Sequence, residues 1–327
     1  MTVIINAIWG ERVIQVVDRQ ISRRASRAVE VVDLASTKVC VVRCSNALLS
    51  IAYTGVAVVK LEWMDSVLAG CLAHRRLEAA IIQPGTPWLG RSAHMVIDEL
   101  AINLNGQLNS DPRASGLDLQ VSVVGWHFGR TLRPLSWELK RGPAEPNGMR
   151  YFTVKRHPVG RFLRRNPRRR WIETFGNPGL TVDDRMRELA GMAGYSHDDV
   201  ERHAVAAIVA RAAETTTVGD ACLAVQLDPR DSNGQVQFTN YPGRVTTGAA
   251  DAHSFVTGWV LTPRLISSPG TESTAGRTFS LCGQYLVGGF SDGNTNLHVR
   301  TRIAAEHVHY GGRLLMAYGT QTRVPTV

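Results

Sequence analysis

The opening of the chain constrains its fold more than any other feature. TVIINAIWGERVIQVVDRQIS holds two apolar runs separated by Gly10-Glu11-Arg12. Apolar runs of this length, rich in Val and Ile and joined by so short a polar break, read as a β-hairpin of Val3–Trp9 and residues 13–17. Thr2 begins the first strand and Asp18 ends the second, so the turn brings the two toward each other. A third apolar run starts at Lys38-Val39-Cys40, and a fourth, residues 47–53, ends on Thr54-Gly55.

These strand ends carry a consistent chemistry. Initiator methionine is normally trimmed before threonine, which leaves Thr2 with a hydroxyl and a primary amine on one residue. That pair is a complete nucleophile and base, because an α-amine titrates at about 8. Lys38 beside the hydroxyl would lower the cost of its alkoxide and keep the amine unprotonated. Asp18 would hold the lysine charged and in place. A glycine N–H at Gly55 would reach a developing oxyanion with no side chain in the way. Each residue also has a plain structural reading: Asp18 as a turn former, Lys38 as a solvated edge charge, Gly55 as a bend before a helix.

The set Thr2, Asp18, Lys38-Val39 and Gly55 resembles the β-type subunits of the proteasome and their bacterial relative HslV, in the N-terminal nucleophile hydrolase superfamily. The stretch from Asp18 to Lys38 is longer than in that family and implies a small insertion. Ser22 falls where the family pairs its backbone with substrate. Phe175-Gly176-Asn177 stands where the family has Gly-Ser, with Asn177 a departure. Glu214, Thr217 and Gly219 stand where the family has Asp-x-x-Ser-Gly-Gly, with Val218 replacing the first glycine. The resemblance implies that Asn177, Glu214 and Thr217 orient the amine, and that Gly55 and Ser22 bind substrate. It implies an α+β, four-layer αββα sandwich over residues 1–230. The downstream pattern is compatible: helices over 56–76 and 91–108, a strand over 117–126, a helix over 198–213 opened by the Ser196-x-x-Asp199 cap signal, and a strand over 221–227.

The implied activity is threonine-type peptide hydrolysis with no metal or cofactor. Its implied partners are an unfolded-protein or peptide substrate, a homo-oligomeric ring and a feeding ATPase. Two alternatives remain: an amidase of the same superfamily acting on a small molecule, and an inert scaffold.

Composition sets the remaining bounds. The 327 residues suffice for a sizeable core. No apolar run reaches membrane-spanning length, and the start lacks the basic and apolar regions of a signal peptide. The five cysteines are odd in number and lie mostly in apolar runs, so they read as reduced thiols of a cytoplasmic protein. The net charge of +9 concentrates in residues 155–171. This block reads first as a solvated insertion between core strands, second as a polyanion site for nucleic acid or an acidic partner, and third as the lining of a chamber entrance or a subunit interface. No nucleic-acid motif accompanies it, so nucleic acid is not the expected partner, and the role of residues 155–171 is left open. Residues 231–327 read as a β-rich extension, with strands over 236–239, 254–261, 278–281, 285–289, 297–302 and 314–318. Ser291-Asp292 lacks a nucleophile elbow, and His307-x-His309 lacks a third metal ligand.

Overall fold

The computed structural model describes residues 2–10, 12–24, 29–33, 38–44, 46–60, 62–73, 92–191, 194, 196–228, 235–241, 255–261, 277–281, 284–290, 308–310 and 313–316. The chain opens with strands β1 (Val3–Trp9), β2 (Arg12–Asp18), β3 (Ile21–Arg24), β4 (Val29–Asp33), β5 (Val39–Arg43) and β6 (Ala47–Gly55). A short pair, β7 (Val58–Val59) and β8 (Glu62–Trp63), precedes helices α1 (Met64–Ala73) and α2 (Ala93–Asn109). Strands β9 (Leu119–His127), β10 (Arg133–Arg141) and β11 (Phe152–Arg156) follow, then α3 (Val159–Arg165) and β12 (Trp171–Gly176). Helices α4 (Gly179–Gly191) and α5 (His197–Glu214) lead into β13 (Cys222–Asp228) and β14 (Gln235–Tyr241). The last strands are β15 (Phe255–Leu261), β16 (Arg277–Leu281), β17 (Gln284–Phe290), β18 (Val308–Tyr310) and β19 (Arg313–Met316).

The expected hairpin is the centre of a five-stranded sheet, ordered β12-β1-β2-β13-β14 with every pairing antiparallel. A ten-stranded sheet runs β11-β10-β9-β6-β5-β15-β17-β16-β18-β19, parallel at β5–β15 and antiparallel elsewhere. The strands after residue 234 thus extend both sheets.

Strand alternation explains the unbroken apolar runs. On β1, Ile4 and Ile8 join a cluster that includes Val41, Leu48, Val124 and Trp126 of the other sheet. Val3, Ile5 and Ala7 join a second cluster with Val182 and Leu189 of α4 and Val200 and Ile208 of α5. A third cluster joins Leu49, Ile51 and Val121 of the ten-stranded sheet to Leu68 of α1 and Leu100 and Leu104 of α2. A strand buried on both faces has no polar face to alternate with.

One polar seam crosses the interior between the sheets. The Asn6 amide donates to Ser122 Oγ at 2.7 Å, the Gln15 amide donates to Asn6 Oδ1 at 3.0 Å, and Ser50 Oγ donates to Gln15 Oε1 at 2.7 Å. All four side chains are buried.

Two expectations change. The helix expected from residue 56 begins at Met64, because β7 and β8 turn back through Lys60 at φ 49°. The Lys60 N–H is held by Asp111 Oδ2 at 2.7 Å, which favours the turn over the helix. The basic block 155–171 is more than a solvated insertion: it spans the end of β11, all of α3 and the start of β12, with its arginines largely exposed. Val159 and Leu163 of α3 pack into the cluster between the sheets. The strand expected over 297–302, Ser291-Asp292, Cys282 and His307 lie outside the described residues.

Candidate active site

Thr2 precedes β1, and three strand ends converge on it. Lys38, just before β5, places Nζ 2.7 Å from Thr2 Oγ1. The same ammonium donates to the Gln20 carbonyl at 2.5 Å and lies 3.3 Å from Asp18 Oδ1. Thr2, Asp18 and Lys38 are all buried. The plain reading of Lys38 as a solvated edge charge therefore does not hold.

Asp18 is fixed by main chain as well as by the lysine. Val3 N–H donates to its Oδ1 at 3.0 Å, and Gly219 N–H to its Oδ2 at 3.2 Å. Burial pushes its carboxyl above the usual aspartate range, against the opposing pull of the Lys38 charge and of the Gly219 and Val3 N–H groups. A buried ammonium with a paired carboxylate can donate to Thr2 Oγ1 with little screening by water, which stabilises negative charge on that oxygen.

The Thr2 carbonyl is held from the other side. Asn177 N–H donates to it at 3.1 Å and Thr54 Oγ1 at 3.3 Å. A Cβ on Gly176, which sits at φ +85°, would stand 1.8 Å from the same oxygen, so only glycine fits there. Gly55, at φ +111°, is exposed at the end of β6, where a Cβ would meet Asp118 O at 2.0 Å.

The remaining expected residues lie further out. The Asn177 side chain turns away from Thr2 and accepts from Arg211 at 3.1 Å. Arg211 also donates to the Asn177 carbonyl at 3.2 Å and to Glu214 Oε2 at 2.8 Å. Glu214 accepts from Thr181 Oγ1 at 2.5 Å; this hydroxyl and then Arg211 hold its carboxyl below the usual range. Thr217 Oγ1 bonds Thr215 Oγ1 at 3.0 Å. Ser22 sits in the β3–β4 hairpin opposite Val31, which is the extra chain between Asp18 and Lys38. Gly176 stands beside Thr2 as the Gly176-Asn177 reading has it, whereas Gln20, Thr54 and Arg211 were not expected. Gln20 acts through main chain and Thr54 upon it, which leaves no side-chain motif, and Arg211 is one arginine among many.

Among the described residues there is no cluster of His, Cys, Asp and Glu suited to a metal ion, and no helix long and apolar enough to cross a membrane.

No family model matches the sequence. No curated protein matches it either. Solved structures do resemble it. A Gly-1 mutant of Anbu from Hyphomicrobium sp. strain MC1 superposes with a TM-score of 0.51 at 8% identity, over 75% of this chain and 89% of that one. The helical assembly of the Anbu complex from Pseudomonas aeruginosa gives 0.49 at 11% identity, over 75% and 88%. The chain thus shares a mixed α+β fold with that Anbu structure.

The resemblance to proteasome β-type subunits and HslV is corrected accordingly. The structures named above are Anbu, and any relation to those two families is distant and without sequence support. Thr2, Asp18, Lys38 and Gly55 are single residues at strand ends. Their order follows from how such sheets are connected, so it does not single out one family.

Proposed function

We propose that the protein is an amide hydrolase whose nucleophile is Thr2 Oγ1 after Met1 is removed. The observation that carries this reading is the 2.7 Å contact of Lys38 Nζ with Thr2 Oγ1, in a buried site where Asp18 pairs with the same lysine. In the proposed reaction the Thr2 hydroxyl proton passes through a water to the freed α-amine as Oγ1 attacks the carbonyl carbon. Lys38 stabilises the alkoxide, and the Gly55 N–H receives the oxyanion. The amine returns the proton to the leaving nitrogen, and water then hydrolyses the Thr2 ester. Ser22 offers backbone to an extended peptide substrate. Asn177 acts through its N–H on the Thr2 carbonyl, with Glu214 and Arg211 as positioning residues behind it, and Thr217 shapes the loop that presents Gly219.

The same proposal covers three coarser points. The three apolar clusters support a four-layer αββα sandwich. Residues 231–327 are an appended segment, whose described strands extend the sheets. The chain works as a cytoplasmic homo-oligomer, which sedimentation would read out.

The test is the intact mass of the full chain before and after a peptide epoxyketone, a warhead that closes a ring on a threonine hydroxyl and its free amine. Loss of Met1 and one adduct, absent in Thr2→Ala, is the expected result. Retained Met1, or an adduct that persists in Thr2→Ala, overturns the reading.

A further inference from the structure

The eight cations of residues 155–170, with no acid among them, account for all but one unit of the net charge of +9. The rest of the chain is close to neutral, so this charge is a local feature with a local geometry.

Helix α3 links β11, at one edge of the ten-stranded sheet, to β12, at one edge of the five-stranded sheet. Its Val159 and Leu163 are buried in the cluster between the sheets, with Phe162 and Trp171 packed against it. At about 100° per residue, Arg161, Arg164 and Arg165 then fall within an arc of roughly 100° facing the opposite way. All three are exposed. Arg168 and Arg169 extend that face through the turn closed by the Arg169 N–H to Asn166 O bond of 3.0 Å, and both are exposed. Arg170 differs: it is buried, 5.8 Å from the Trp9 ring.

Among the described residues no carboxylate pairs with Arg161, Arg164, Arg165, Arg168 or Arg169. The nearby Glu138 and Glu173 flank His157, 3.7 and 3.0 Å away. Like charges three and four residues apart destabilise a helix. Here they stand uncompensated on a helix whose inner face is well packed. A polyanion would relieve that repulsion.

We propose that this face binds the phosphate backbone of double-stranded nucleic acid without sequence preference. Arginine forks engage phosphate oxygens bidentately. Residues 155–170 contribute no exposed large apolar side chain, and a protein interface needs an apolar centre. Phe162 and Trp171 are partly buried and packed against the core, so this segment presents no fully exposed aromatic ring as the stacking platform that single strands use. Backbone charge is what remains to be read. The inference is independent of the hydrolase reading.

The experiment is fluorescence anisotropy of a fluorescein-labelled DNA duplex with the full chain, from about 50 to 200 mM salt. Affinity is expected to fall with a log–log slope of about −4 to −5, near −0.9 per phosphate neutralised if the five arginines engage. Arg164→Glu/Arg165→Glu/Arg168→Glu/Arg169→Glu is expected to weaken binding at least roughly tenfold and flatten the slope, and the matching lysine variants to keep most of it. The exposed pair Arg187→Glu/Arg202→Glu, on α4 and α5, serves as control. Equal loss in that control, a salt-independent signal, or polyglutamate competing as well as unlabelled duplex overturns the proposal; the last result assigns the face to an acidic protein.

Discussion

Lys38 donates to Thr2 Oγ1 and to the Gln20 carbonyl from a position 3% exposed. Lys38→Met removes the cation and leaves Asp18 buried without its charge partner, a change that typically costs about 3–5 kcal/mol. The expected outcome is a lower urea midpoint together with loss of epoxyketone labelling at Thr2. Thr54→Ala removes a hydroxyl that touches only the Thr2 carbonyl side of the site, and slower labelling with little change in midpoint is expected. Asp18 gives a pH signature. Its carboxyl is raised in the fold by burial, so between the ordinary value of 3.8 and the raised one the folded state holds more protons than the unfolded chain. Its contribution is therefore fully present at low pH and fades as pH rises through the folded value. Urea midpoints of wild type and Asp18→Asn across that acid range should show the wild type losing ground as pH rises. The meeting of Thr2, Asp18 and Lys38 was legible in the sequence because each makes its contact there through its side chain. Gln20 was not, since any residue offers the same carbonyl. Glu214 was assigned to the amine because nothing in the sequence says that Arg211, three residues back on the same helix, bonds both it and Asn177.

At the scale of elements, α3 is the informative case. Its Leu163 is buried between the sheets while its next two residues face outward as arginines. Leu163→Ala should cost about 2–5 kcal/mol, as leucine truncations in packed cores do, measured as a shift in the denaturation midpoint. Duplex binding under conditions where the variant is folded should be nearly unchanged, because the outward arginines are untouched. A block so dense in arginine gave no apolar periodicity long enough to read as a helix, so Val159 and Leu163 were hidden in it. The opposite error occurred at residues 56–76. Periodicity there ran on through Val58 and Val59, but Lys60 adopts a positive φ with its N–H bonded to Asp111, a tertiary contact that local pattern does not carry. Where a cap signal was local, as at Ser196 and Asp199 ahead of α5, the helix start was readable: the observed capping box holds both reciprocal bonds.

For the whole molecule, the packing of one sheet on the other depends on a few buried polar atoms. Ser122 accepts from Asn6 at 2.7 Å in an interior that is otherwise largely apolar. Ser122→Ala leaves that amide with one partner fewer and should destabilise the fold by about 1–3 kcal/mol; paired Asn6→Leu/Ser122→Ala should lose more in equilibrium denaturation, because the buried Gln15 amide then has neither of its two acceptors. The strand alternation that places two apolar faces on β1 was visible as an unbroken run, whereas the partners of those faces were not, because sheet order depends on contacts between distant parts of the chain. The ten-stranded sheet, which recruits β15 beside β5, shows how far the connections reach.

The contacts around Thr2 have a consequence for inheritance. Its carbonyl is held by the Asn177 N–H, its aspartate by the Val3 and Gly219 N–H groups, and its lysine by the Gln20 carbonyl. Those groups belong to the peptide link itself and are copied whatever residue is encoded, provided the small positions stay small. A lineage could rewrite nearly every letter around such a centre and still transmit its shape, much as a sentence keeps its grammar in translation.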